Sequence, residues 1–155
     1  MQYERQLQAA CGYAELGMLQ ESLAELDAIP ARLQRRPEVL QLRLHHLMRK
    51  QHWTQALNVS ELLCRVAPDC PVGFLHAGFC LHQLGQTAAA RDLLAQGPIA
   101  LLKDPIYYYN LGCYDALLGN VREAEANLRI SFKMDATFRA IARQDPDLKA
   151  LHAKI

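Results

Sequence analysis

The sequence repeats itself every 34 residues, and that period limits the fold more than anything else in it. Pro37, Pro71 and Pro105 stand one period apart. Ser22, Ala56, Ala90 and Ala124 keep the same step, as do Gly17, Gln51, Gly85 and Gly119. Gly78 and Gly112 extend back to Leu44 and Ala10, and Leu40, Phe74 and Tyr108 form a fifth register. Self-similarity at such an interval marks an array whose units cannot bury their apolar faces alone and must stack on one another.

Each period reads as two helices. Pro37 suits a first helical turn, where a missing N–H costs nothing. Leu40, Leu44 and Leu47 follow as an i, i+4, i+7 stripe. A turn falls at Lys50-Gln51-His52. A second helix carries Ala56, Leu57, Leu63 and Val66, and Pro68 follows its end. The third period repeats the plan with Pro71, Phe74, Gly78 and Leu81, a turn at Gly85, then Ala90 and Leu94. The fourth gives Pro105, Tyr108, Leu111 and Gly112, a turn at Gly119-Asn120, then Ala124 and Leu128. The first is looser, with Leu7, Ala10 and Tyr13, a turn at Gly17, then Leu23 and Leu26. Small residues at Gly78 and Gly112 are expected to let paired backbones approach closely.

Phe74…Gly78…Leu81…Ala90…Leu94 and Tyr108…Gly112…Ala124…Leu128, with Gln51-His52-Trp53-Thr54-Gln55-Ala56 at a turn, resemble the tetratricopeptide repeat family. The resemblance covers residues 3 to about 136. It implies an all-α solenoid of antiparallel helix pairs, wound as a right-handed superhelix. One domain over 1–155 would hold repeats at about 3–34, 37–68, 71–102 and 105–134. A capping helix would follow at about 135–152, with Phe138, Ile141 and Ala142 covering the last pair. There are departures. Gly97-Pro98 should shorten or kink the second helix of the third period. Asp115 and Ser60 stand where the family usually has large apolar residues.

Composition excludes several functions. Lys plus Arg is 17 against 16 for Asp plus Glu, a formal net charge of +1. So balanced a chain is poorly suited to nucleic acid or an anionic membrane. No apolar run approaches the roughly 20 residues of a membrane helix. The opening Met1-Gln2-Tyr3-Glu4-Arg5 lacks a signal-peptide core, so a cytoplasmic protein is expected. Five cysteines without a Cys-x-x-Cys argue against a disulfide framework or structural zinc.

Catalytic motifs are missing, so no enzyme and no cofactor are expected. Ser22, Ser60 and Ser131 each fall in a second helix, without the exposed turn and neighbouring base of a nucleophile. Asp145-Pro146-Asp147 reads as a helix stop followed by a cap. His45, His76 and His82 could share one surface, but no partner carboxylate is identifiable and the spacing is no ligand motif. The run Arg32, Arg35, Arg36, Arg43, Arg49, Lys50 reads as a solvated face or as a dock for an acidic partner.

A second stripe on the first helices carries the functional expectation. It comprises Leu7 and Cys11 in the first period, and Gln41, Leu42, His45, Met48 and Arg49 in the second. Leu75, His76, Phe79 and His82 follow in the third, then Tyr109, Asn110 and Cys113 in the fourth. An isolated helical hairpin would make this stripe polar, and a packed core rarely absorbs two faces of one helix. The resemblance assigns it to a concave groove that holds a peptide. An apolar surface with a polar rim marks an interaction site. The expected partner is a protein or peptide with an apolar or amphipathic segment, bound by an adaptor. Self-association through the terminal repeats is compatible with this. The alternative is a bacterial secretion chaperone that sequesters a translocator client. Some relatives in the family grip a terminal carboxylate with cationic side chains. The matching places here are Leu7, Cys11, Leu42, Val72 and His76, or one repeat on Gln41, His45, His76, Ile106 and Asn110. Neither set supplies the cations, so no such clamp is expected.

Overall fold

The computed structural model describes all residues 1–155. Nine α-helices run in order: α1 (Gln2–Glu15), α2 (Leu19–Asp27), α3 (Pro37–Arg49), α4 (Trp53–Val66), α5 (Pro71–Gln83), α6 (Thr87–Ala95), α7 (Pro105–Leu117), α8 (Val121–Met134) and α9 (Thr137–Ala142). Three 3-10 segments, Ala31–Leu33, Ile99–Lys103 and Pro146–Lys154, complete the chain, which has no strand. Pro37, Pro71 and Pro105 open α3, α5 and α7. Each helix packs against the next, so the whole is an all-α solenoid of helix pairs.

The four turns inside the pairs are copies of one another. Gly17, Gln51, Gly85 and Gly119 all take positive φ, at 75°, 56°, 80° and 81°. In each, the next residue's N–H reaches back five positions: Met18 to Tyr13, His52 to Leu47, Gln86 to Leu81 and Asn120 to Asp115, at 2.8–3.0 Å. This is the Schellman closure, which satisfies carbonyls left open at a helix end. Gln51 occupies the left-handed conformation with a Cβ, where glycine would sit without strain.

The second helices alternate in length. α4 and α8 have 14 residues, whereas α2 and α6 have 9. Pro30 and Pro98 set the difference, because a proline inside a helix removes a hydrogen bond and clashes with the preceding turn. Both sit in extended backbone and start a 3-10 segment. The break at Gly97-Pro98 follows the sequence expectation; Ile29-Pro30 makes the same break after α2.

The apolar interior is divided. Ala10, Leu26, Ile29 and Val39 are buried beneath α1–α3. Leu40, Leu44, Ala56, Leu63 and Cys80 form a second cluster in α3–α5. Thirteen residues from α6 to the C-terminal segment form the third. Close approach depends on missing side chains. A Cβ on Gly112 would lie 2.7 Å from Leu128 Cγ, and one on Gly78 would lie 3.2 Å from Leu94 Cγ. Full burial of each such leucine contributes about 1.5–3 kcal/mol.

Candidate functional site

The 34-residue period places side chains at equivalent positions of the first helices. Leu7, Gln41, Leu75 and Tyr109 form one register along α1, α3, α5 and α7. Cys11, His45, Phe79 and Cys113 form the next, and Met48 and His82 a third. Together they make up one face along these four helices.

At its α1–α3 end the face is open. Cys11, Ala14, Glu15, Leu42, His45 and Arg49 line a depression of about 380 Å³. Cys11, His45 and Arg49 are exposed, and Leu7, Gln41 and Leu42 half-buried. Towards α5 the face serves packing as well. Met48 Sδ lies 3.5 Å from Cys80 Sγ, and Phe79 meets the Trp53 ring edge-on with centroids 5.6 Å apart. Leu75 and His76 are half-buried beside them. Burial, then the neighbouring His45, holds the His76 imidazole below the usual histidine range.

At the α7 end the face is covered by the chain itself. Residues 146–154 pack along α7 and bury Leu148 and Leu151. Tyr109 Oη donates to Asp145 Oδ2 at 2.5 Å, and Cys113 Sγ lies 3.7 Å from the same oxygen. Asp145 Oδ1 accepts from the Asp147 N–H at 3.0 Å, capping the segment. His82 Nε2 meets Asp147 Oδ2 at 2.9 Å, while its Nδ1 contacts Thr87 Oγ1 at 3.0 Å.

Tyr109 and Cys113 therefore depart from the expectation of open groove residues: they are only 7% and 5% exposed. Asn110 stays half-buried. Helix α7 does absorb two faces, because the tail covers the second. Burial first, then Asp145, pushes the Tyr109 phenol and the Cys113 thiol far above their ordinary ranges. Neither is poised as a nucleophile. Asp145 does begin a capped segment, as its sequence suggests; its bond to Tyr109, 36 positions earlier, has no local signal.

One serine has the neighbouring base that the sequence did not reveal. Ser22 Oγ lies 2.8 Å from His46 Nε2. However, Ser22 donates its proton to the Ala10 carbonyl at 2.6 Å, which can only accept. His46 must then donate from Nε2 and cannot act as the base. Both residues are sealed, at 0% and 1% exposure, and His46 Nδ1 has no partner to orient the ring. The pair ties α1, α2 and α3 together. Asp115 is likewise structural. It is buried and accepts from Arg91 Nε at 2.6 Å, Asn120 Nδ2 at 3.1 Å and Asn127 Nδ2 at 3.2 Å. No group of three or more His, Cys, Asp or Glu side chains is placed to hold a metal ion. No helix is long and apolar enough to cross a membrane.

This architecture is that of tetratricopeptide repeat proteins. No protein-family model matches the sequence, and no curated protein matches it. Solved structures do. YrrB, a TPR protein with an unusual peptide-binding site, superposes with a TM-score of 0.74 at 16% identity, over 94% of this chain and 73% of YrrB. PcrH, solved in complex with the chaperone binding region of PopB, gives 0.58 at 20% identity, over 82% of this chain and 94% of PcrH. The chain thus has the tetratricopeptide-type fold.

Proposed function

We propose that this protein is a non-enzymatic adaptor whose inner face holds an apolar or amphipathic segment of another protein. One observation supports this: the chain's own C-terminal segment packs along α7 and covers part of that face, where Asp145 meets Tyr109 and Cys113. A surface that accepts its own peptide has the shape and polarity to accept another. The open stretch at Cys11, Leu42, His45 and Arg49 extends the same surface beyond the tail. The peptide-binding description of YrrB is consistent with such a role.

Photocrosslinking tests it. p-Benzoylphenylalanine in place of His45 should yield adducts to a defined amphipathic segment of a partner. The same probe in place of Glu61, exposed on α4, should not. Equal adducts from both, or none at His45, would refute the assignment. A second reading, a chaperone that shields a client segment, is favoured by the overlap with nearly all of PcrH. It predicts that the adduct is an apolar client that aggregates once separated.

A further inference from the structure

We infer that residues 145–151 stand in for the partner, and that the α5–α7 end of the inner face takes a short acidic-headed helical segment with two leucines three residues apart. This rests on the inner-face assignment above and adds the chemistry of the occupant. Three features define it. Tyr109 Oη and His82 Nε2 point to one strip, and both reach carboxylates, Asp145 and Asp147, on a single turn. Leu148 and Leu151 are both buried in the apolar cluster that includes Tyr109, Cys113 and Tyr114, with Leu151 beside Leu128 and Phe132 of α8. Beyond the tail, exposed Arg49 continues the face, so an acidic segment longer than the tail meets a cationic side chain.

The tail is built to leave as a unit. Two of its hydrogen bonds are internal: His152 Nε2 to the Asp145 carbonyl at 2.9 Å, and the Asp147 N–H to Asp145 Oδ1. Besides Tyr109, Cys113 and His82, its polar fastening to the solenoid is an exposed Lys154–Glu125 pair at 2.6 Å. A segment of matching chemistry would take over the Tyr109 and His82 bonds and cover the same apolar cluster, so the exchange strands no buried group.

The probe is a fluorescein-labelled peptide with the sequence of residues 143–155, read by anisotropy against the full chain. Leu148→Asp with Leu151→Asp in the chain should release the tail and raise peptide affinity at least about tenfold over the parent, with helicity by circular dichroism retained. Tyr109→Phe added to that variant, or Asp145→Asn in the peptide, should each lower the affinity severalfold. Equal binding by parent and released chains overturns the proposal. Should the double variant lose its helicity, Asp145→Asn in the full chain decides: a severalfold gain over the parent supports the proposal, and no gain overturns it. Adducts at His45 without a peptide gain would sink only this inference. A peptide gain without those adducts would sink the wider adaptor role.

Discussion

His46 donates to Ser22 across 2.8 Å, and Ser22 hands its own proton on to the Ala10 carbonyl, so one hydroxyl joins three helices. The other three members of the Ser22 register are alanines, Ala56, Ala90 and Ala124. By the repeat pattern alone, Ser22→Ala should be harmless or helpful. The hydrogen bonds say otherwise, because the change leaves a buried imidazole N–H without an acceptor. We expect a loss of about 1–3 kcal/mol, measured as a lower urea midpoint.

The same histidine makes stability depend on pH. Burial, then the nearby His45, holds His46 below the usual histidine range, and His76 is lowered for the same reasons. The unfolded chain therefore binds these protons first as the pH falls. Stability is full above the unfolded value of about 6.5 and declines as the pH drops through the lower folded values. The urea midpoint should fall between pH 7.5 and 5.5. His46→Gln, which keeps a donor without titrating, should flatten that decline.

Gln51 is the strained copy of a turn that glycine makes three times. Gln51→Gly removes a left-handed penalty of about 1–2 kcal/mol and adds the unfolded-state entropy of glycine. A net gain of up to about 1 kcal/mol is expected in thermal melts. Gly85→Ala should produce a loss of about 1 kcal/mol or more.

Two helical glycines should respond in opposite ways. A Cβ at Gly12 meets nothing within 4 Å, so Gly12→Ala should stabilise α1 by about 0.5–1 kcal/mol through helix propensity. A Cβ at Gly112 would crowd Leu128 Cγ at 2.7 Å and the Ala124 carbonyl at 3.3 Å. Gly112→Ala should cost about 1–3 kcal/mol despite the same propensity gain. Chemical denaturation of both variants checks the contrast.

Arg91 and Asp115 form an unequal pair. The arginine side chain is 34% exposed and the aspartate fully buried. Removing the cation leaves a buried carboxylate facing only two amides, whereas removing the carboxylate leaves a cation that water can reach. Arg91→Ala should therefore cost about 3 kcal/mol, and more than Asp115→Asn. Equal losses in denaturation would contradict this.

The sequence revealed whatever repeats or acts locally. Pro37, Pro71 and Pro105 could be placed at helix starts because proline tolerates little else. Gly17, Gln51, Gly85 and Gly119 could be placed at turns because the period aligned a glutamine with three glycines. The cover over Tyr109 and Cys113 could not be read. Asp145-Pro146-Asp147 announces a stop and a cap, but nothing in it says which earlier helix the segment will meet. Ser22 and His46 fall 24 positions apart and share no motif. The repeat pattern also hid the alternation of short and long second helices, since Pro30 and Pro98 recur at twice the period rather than once.

Three separate apolar islands, rather than one continuous mass, mean that heat need not dismantle the molecule in a single stroke. The four-residue island beneath the amino-terminal pair is the cheapest to dissolve, and the thirteen-residue island beside the tail the dearest. Fraying would begin at one end and stall before the other. An array made this way can open its first rung while its last rungs keep their shape.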